Sequence, residues 1–374
     1  MTDPRILLSA GEASSDMYAA RLATALRSRT NAQMFGMGGP RMAEAGVDLV
    51  ANYHEVAVTG ITEVLHKIPT VIAVQNRLKR EAQARNTKLA VLVDSPGTHL
   101  GVARRMKQIG VPVGYLIGPQ IWAWRPGRVR VVKRLVNRMV VIFPFEEKIY
   151  RDAGVPVDFV GHPLVDTVRA TMTREEFATR HGLDPGRPIV TILPGSRPNE
   201  IAQNYARVIA ACERLAEPGN VQFVHAAAHG LTAEFFMRHA RPKVKITRVE
   251  GETYNALAAA DCAIVASGTA TVEAALLGTP MVVIYRVAPV TAGILRHMIR
   301  TPFIAMVNLI GGRLVVPELI QEKFTPEAVE KEVRRLLDSS AARDEVKAGL
   351  AEVRAKLGPG GAIERAADIF AGML

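Results

Sequence analysis

Cysteine is almost missing from this 374-residue sequence: only Cys212 and Cys262 occur, both among alanines and aliphatic residues. With no Cys-x-x-Cys and no His/Cys cluster, a structural zinc site is not expected, and the usage fits a reducing cytoplasm. Aromatic residues make up only 5% of the chain, which argues against RNA or single-strand recognition by stacking. No uncharged apolar run reaches the roughly 18 residues that a spanning helix needs. Met1-Thr2-Asp3-Pro4-Arg5 leads straight into Ile6-Leu7-Leu8, which reads as the approach to a first strand and not as a signal peptide. Any membrane contact is therefore expected at a membrane surface and not across it. Asp-x-Asp is absent, so a metal-held nucleotide diphosphate would lack its usual paired carboxylates, and neither a metal nor a cofactor is expected. A Walker A lysine pattern is absent as well.

What is present is ordinary globular composition, 48% hydrophobic and 22% charged, with a mean hydropathy of +0.11. At about 150 residues per domain the length suggests two domains. The net charge of +11 favours anionic partners: nucleic acid, phosphorylated metabolites or an anionic membrane. Short aliphatic runs alternate with helical periodicity, the signature of βαβ units on parallel sheets. The first series of strands is read at Arg5–Ala10, Gln33–Met37, Leu89–Val93, Val113–Ile117, Met139–Phe143 and Val157–Val160. The second is read at Pro188–Leu193, Val221–His225, Val244–Thr247, Cys262–Ala266 and Met281–Ile284. The expected fold class is α/β, two doubly wound domains with ligands at strand carboxyl ends facing a cleft. The boundaries are set at 1–168 and 169–359, with a last helix in 360–374 returning to the first domain.

Several strand ends carry chemistry. The first strand runs into Gly11-Glu12-Ala13-Ser14-Ser15-Asp16. Ser14, Ser15 and Asp16 suit a helix cap, but an acid at Glu12 is out of place in a phosphate loop and points to function. Gly36-Met37-Gly38-Gly39-Pro40-Arg41 fails as a dinucleotide fingerprint, because Arg41 stands where the third glycine belongs; tight-turn glycines beside a substrate loop fit better. Asp94, in Asp94-Ser95-Pro96-Gly97-Thr98-His99, is a general-base candidate or a helix cap, and His99 a weaker candidate. Both tryptophans fall in Pro119-Gln120-Ile121-Trp122-Ala123-Trp124-Arg125. Gln120, Trp122 and Arg125 there suit a sugar or acyl platform, against the plainer reading of two core anchors. The apolar stretch 54–72 reads either as buried core or as an interfacial helix.

In the second series, Gly195, Ser196 and Arg197 follow a strand and open a helix with Glu200 in its first turn, a diphosphate-like arrangement. Ser267, Gly268, Thr269 and Thr271 repeat it after Cys262–Ala266. Glu273, one turn on, would reach ribose hydroxyls or close a capping box. A nucleotide is thus expected on the second domain.

Taken together, GEASSD, GMGGPRM, PQIWAWR, FPFE, VGHPLVD, LPGSR, SGTATVEAALLGTPMVV and NLIGGRLVVPELIQ resemble, in order, the motifs of lipid-A-disaccharide synthases. These are inverting glycosyltransferases with two facing Rossmann-like domains, the GT-B architecture. The resemblance implies that UDP-2,3-diacylglucosamine donates its sugar to 2,3-diacylglucosamine 1-phosphate, giving a β-1,6 disaccharide phosphate and UDP. It implies a peripheral protein on the cytoplasmic face of the inner membrane, touching lipid near 58–72, with no nucleic-acid partner and a homodimer left open. Asp94, Glu12 and His99 then stand as the catalytic set. Gly195, Ser196, Arg197, Ser267, Gly268, Thr269, Thr271, Glu273 and Asn308 stand on the nucleotide. Ser14, Asp16, Gly38, Gln120, Trp122, Arg125 and Gln321 stand on the sugar substrates. The family pattern Asp-x-Pro-Asp-Phe-Asn keeps its first Asp here as Asp94, while Gly97 and His99 replace the second Asp and the Asn. Another UDP-sugar enzyme of the same architecture, such as a UDP-N-acetylglucosamine epimerase, is the alternative.

Overall fold

Strands buried on both faces read as unbroken aliphatic runs, and Leu89–Val93, Ile189–Leu193 and Cys262–Ala266 are buried at every position. A computed structural model of the chain describes residues 3–56, 61–119, 126–217, 219–288, 292–293 and 301–374, with backbone alone for 61–66 and 126. The chain divides into two compact units, Met1–Pro163 with Gly358–Leu374, and Leu164–Leu357.

The first unit holds β1 (Arg5–Ala10), α1 (Ala13–Arg27), β2 (Gln33–Gly38), α2 (Pro40–Glu44), β3 (Asp48–Asn52), α3 (Ile61–Ala84) and β4 (Leu89–Val93). It continues with α4 (Pro96–Gln108), β5 (Val113–Leu116), α5 (Val129–Leu135), β6 (Arg138–Val141), α6 (Pro144–Asp152) and β7 (Val157–Phe159). The strands form one parallel sheet in the order β3-β2-β1-β4-β5-β6-β7. Its core joins Leu7, Phe35, Leu92, Val102 and Tyr115 to Val74 and Leu78 of α3. Nearer the start of α3, Ile68 and Ile72 are 44% and 45% exposed, so the described helical part of the ambiguous stretch, 67–72, is half-buried at most, and the buried face of α3 begins beyond it, at Val74. Residues 57–60 of that stretch lie outside the described residues.

The second unit runs α7 (Arg174–Arg180), β8 (Ile189–Leu193), α8 (Pro198–Leu215), β9 (Gln222–Ala227), α9 (Ala233–Met237), β10 (Ile246–Glu250), α10 (Thr253–Ala258) and β11 (Cys262–Ala266). Then come α11 (Thr269–Leu277), β12 (Met281–Tyr285), α12 (Met306–Gly311), β13 (Glu318–Ile320), α13 (Pro326–Asp338) and α14 (Ser340–Lys356). Its parallel sheet has the order β10-β9-β8-β11-β12-β13. The chain then returns to the first unit as α15 (Ala362–Ala371), which packs on α1. Phe370 is fully buried against Gly114 of β5, where a Cβ would stand 2.5 Å from the Phe370 ring.

In each sheet the winding reverses once, between β1 and β4 in the first unit and between β8 and β11 in the second. Such reversals open a crevice at the strand carboxyl ends, the standard ligand position in open α/β sheets. Among the described residues no helix is long and apolar enough to cross a membrane. Two strands escape the sequence pattern: β3, a half-polar edge strand, and β13, three residues long. The strand read at Val244–Thr247 is instead Ile246–Glu250.

Candidate active site

At the first reversal β1 and β4 run in register, Ala10 opposite Val93, so the residues just beyond them meet. Gly11 makes the approach possible: a Cβ there would lie 2.5 Å from the Cβ and Oγ of Ser95. The amides of Gly11 and Glu12 both donate to Ser15 Oγ, at 3.1 and 3.0 Å, and that hydroxyl donates to the Glu12 carbonyl at 2.9 Å. The amides of Gly11 and Glu12 are thereby satisfied by a neutral group, while the Glu12 carboxylate completes the capping box on the Ser15 amide, accepts from Ser14 Oγ at 2.6 Å and faces Asp94.

Asp94 and Ser95 have φ of +54° and +50°. Left-handed backbone costs a non-glycine residue on the order of 1–2 kcal/mol, so the surrounding bonds must enforce it. The Asp94 amide donates to Leu116 O at 2.9 Å. Its carbonyl accepts from Tyr115 Oη and from His99 Nδ1, each at 2.7 Å. Burial first, then the charge of Glu12, push the Asp94 carboxyl up to about 7; the Ser95 amide pulls it down, and a hydrogen bond with Glu12 adds a last, smaller push upward. An acid near neutrality beside a second acid is a usable proton acceptor.

His99, expected as a third catalytic group, is fully buried with both ring nitrogens committed inside the fold, Nδ1 to Asp94 and Nε2 to Ser9 Oγ at 2.9 Å. Burial lowers it to about 4, so the ring is neutral near pH 7. Its partners assign the proton to Nδ1 and make Nε2 the acceptor from Ser9. Asp16, expected on substrate, is also turned inward. Its carboxylate accepts from the amides of Gly39, Arg41 and Met42 at 2.7, 3.1 and 3.3 Å, holding the head of α2. Gly38 is buried against Met42, whose Sδ would be 2.4 Å from a Cβ there, so it makes room for the fold and not for a ligand. Gln120, Trp122 and Arg125 lie outside the described residues.

At the second reversal, Gly195 (φ +137°) turns β8 into α8. The amides of Ser196 and Arg197 point at one anion, the Glu200 carboxylate, at 2.9 and 3.3 Å, and Arg197 Nη1 meets the same carboxylate at 3.1 Å. The Arg197 side chain is 73% exposed. Across the reversal Gly268 and Thr269 are exposed at the head of α11, and Ser267 is half-buried, with its hydroxyl donating to Ile304 O at 3.3 Å. Thr271 is buried, and its hydroxyl donates to Gly268 O at 2.8 Å, so it shapes the turn instead of facing solvent. Glu273 does not cap α11; it accepts from Tyr254 Oη at 3.4 Å, and burial raises its pKa.

Asn308, expected on the nucleotide, is fully buried and spent. Its Nδ2 donates to Val316 O and Glu318 Oε1, and its Oδ1 accepts from the amides of Val315 and Val316. Gln321 sits at φ +53° with its carbonyl accepting from Arg286 Nη1 at 2.9 Å. Sequence reasoning missed Tyr115, Ser9 and Glu318. Ser9 and Tyr115 read as strand residues and Glu318 lies in a strand the pattern does not show, so only the fold reveals that their polar atoms hold a turn. Among the described residues no group of three or more His, Cys, Asp or Glu side chains could hold a metal ion.

The family model of lipid-A-disaccharide synthetase matches residues 6–366. The chain belongs to the lipid-A-disaccharide synthase family. The relative from Myxococcus xanthus is 45% identical over 98% of this chain and 96% of its own length. The one from Geobacter sulfurreducens is 42% identical, covering 100% and 98%. Membership makes the chain an enzyme, a glycosyltransferase of lipid A biosynthesis. Among solved structures, MurG of Acinetobacter baumannii superposes with a TM-score of 0.62 at 13% identity, covering 98% of this chain and 99% of that one. A UDP-GlcNAc 2-epimerase from Neisseria meningitidis reaches 0.67 at 11% identity over the same shares. At such identities these two neighbours speak to the fold alone, and that fold is the GT-B class of two Rossmann-like α/β domains.

Proposed function

We propose that this synthase condenses UDP-2,3-diacylglucosamine with 2,3-diacylglucosamine 1-phosphate, using Asp94 as the general base. The observation that carries the assignment is the Asp94 carboxyl, held near neutrality beside Glu12 at the strand reversal of the first unit. Asp94 takes the proton of the acceptor 6-hydroxyl as that oxygen attacks the anomeric carbon. The bond to UDP breaks on the opposite face, which inverts the centre and gives the β linkage. Glu12 orients the acceptor and shares the proton with Asp94.

The leaving diphosphate belongs to the second unit. The amides of Gly268 and Thr269 at the head of α11 are donors for the charge that develops on the leaving oxygen, and Arg197 with the Ser196 amide joins them when the diphosphate displaces the Glu200 carboxylate. Glu273 lies within the first turns of the same helix, suited to the ribose. The first unit is then the acceptor domain and the second the UDP-sugar domain. The exposed Ile68 and Ile72 of α3, with the net charge of +11, support seating on an anionic membrane surface, the cytoplasmic face of the inner membrane.

The test is turnover followed by mass spectrometry, with both acylated substrates and a chelator present. Disaccharide phosphate and UDP in equal amounts are expected. Conversion of an unacylated UDP-sugar without an acceptor would replace this reading by an epimerase.

A further inference from the structure

We propose that Tyr115 and His99 are positioning residues that jointly clamp the Asp94 carbonyl and so aim the Asp94 carboxyl at Glu12. The proposal rests on the reading of Asp94 as the base.

A carbonyl oxygen has two lone pairs, and here both are filled by side-chain donors from different elements, Tyr115 of β5 and His99 of α4. The amide of the same residue is tied to Leu116 O, the next residue of β5. The peptide groups on either side of the Asp94 Cα are thus fixed, which sets the direction of its Cα–Cβ bond and limits the rotamers that reach Glu12. The two donors are themselves held. His99 takes a hydrogen bond from Ser9 of β1 on its far nitrogen, which sets the tautomer that can donate to Asp94. The Tyr115 ring meets the His99 ring edge-on at 6.3 Å and 75°. Both side chains are fully buried, so neither touches substrate, and whatever they do for the reaction passes through Asp94. Among the described residues, the ionisable groups around that carboxyl are Glu12 from the loop before α1, His99 from α4 and Tyr115 from β5. His99 stands where the family pattern has Asn, a side chain that can also donate one hydrogen bond to a carbonyl.

The experiment uses the full-length protein with Tyr115→Phe, His99→Leu, His99→Asn and Asp94→Asn. It reads kcat, KM, UDP affinity and the pH dependence of kcat. Tyr115→Phe keeps the ring and removes one donor. We expect kcat to fall roughly tenfold to a hundredfold, the scale set by small misplacements of a reacting group. UDP affinity should stay within about twofold, since the donor site is built by the other unit. The pH midpoint should move below its starting value near 7 as Asp94 leaves Glu12. His99→Leu should act in the same direction, and His99→Asn should restore most of what the leucine loses. A purely structural role would lower thermal stability and leave the pH midpoint in place, and that result overturns the clamp. Should His99→Leu fail to fold, Tyr115→Phe decides alone. Asp94→Asn separates the two readings. If it turns over like the unaltered protein, the base assignment fails and the clamp with it. If it is inactive while Tyr115→Phe keeps both kcat and pH midpoint, the clamp alone fails.

Discussion

Each unit has a strand, a glycine and a helix head at its first sheet reversal, and the two loops treat their amides in opposite ways. After β1 the amides of Gly11 and Glu12 close on the neutral hydroxyl of Ser15. After β8 the amides of Ser196 and Arg197 close on the carboxylate of Glu200, with Arg197 beside it. The leading amides of the turn therefore meet a neutral group in one unit and a carboxylate in the other. That difference supports the proposed division, acid–base work at the first loop and diphosphate binding at the second, more sharply than the glycines do.

The contrast can be broken from either side. Asp94→Asn should have the largest effect, a loss of roughly 10²–10⁴ in turnover, the usual worth of a positioned base, with UDP affinity unchanged. A parallel loss of UDP binding would merge the two sites. Turnover in the unaltered protein should rise with pH through about 7, because Asp94 holds its proton below that value. Glu12→Gln should lower the midpoint by removing the neighbouring charge. Arg197→Ala should do the reverse of Asp94→Asn. UDP binding, measured by calorimetry, should weaken about 10–100-fold, the loss of a charge-assisted hydrogen bond of ~1.5–3 kcal/mol.

Gly11→Ala forces a methyl group to within 2.5 Å of Ser95. Overpacking of that kind costs about 1–3 kcal/mol, visible in urea unfolding, and it should lower turnover as Glu12 is displaced. The smallest effect sharpens the contrast most. Glu200→Gln removes the resident charge from the second loop, and UDP binding should tighten about twofold to fivefold, from the ~0.3–1 kcal/mol that a charge is worth at a helix head. Weaker UDP binding in that variant would make Glu200 a strut for the loop instead of a stand-in for phosphate.

Much of this was legible in the sequence, since aliphatic runs and strand-end glycines follow from burial on both faces of a parallel sheet. Glu12 stood out as an acid in a phosphate-like turn, Asp94 as an acid at a strand's carboxyl end before a proline turn, and Arg197 as a fork of donors after a strand-end glycine; the fold also makes Glu12 and Arg197 the N-cap residues of their helices. What stayed hidden was partnership. Asp16 looked like a ligand group because its amide partners begin 23 residues away, at Gly39. Asn308 looked like one because nothing in its apolar run shows that the chain doubles back to Val315 and Val316. Tyr115 looked like core, which its ring is; its hydroxyl is what reaches the Asp94 carbonyl, and periodicity does not see a hydroxyl. The strands β3 and β13 were missed because an edge strand needs only one apolar face and a three-residue strand shows no period at all.

The return of α15 has a consequence for the order of assembly. The sheet that carries Asp94 and Glu12 is covered in part by the last turns of the chain, with Phe370 over Gly114 next to Tyr115, and Arg29 of the segment after α1 paired with Glu364 and Asp368. During synthesis this half of the protein begins first and closes last, after the whole of Leu164–Leu357 has left the ribosome. An unfinished chain therefore leaves Gly114 of β5, the neighbour of Tyr115, without its Phe370 cover until the second unit has been made.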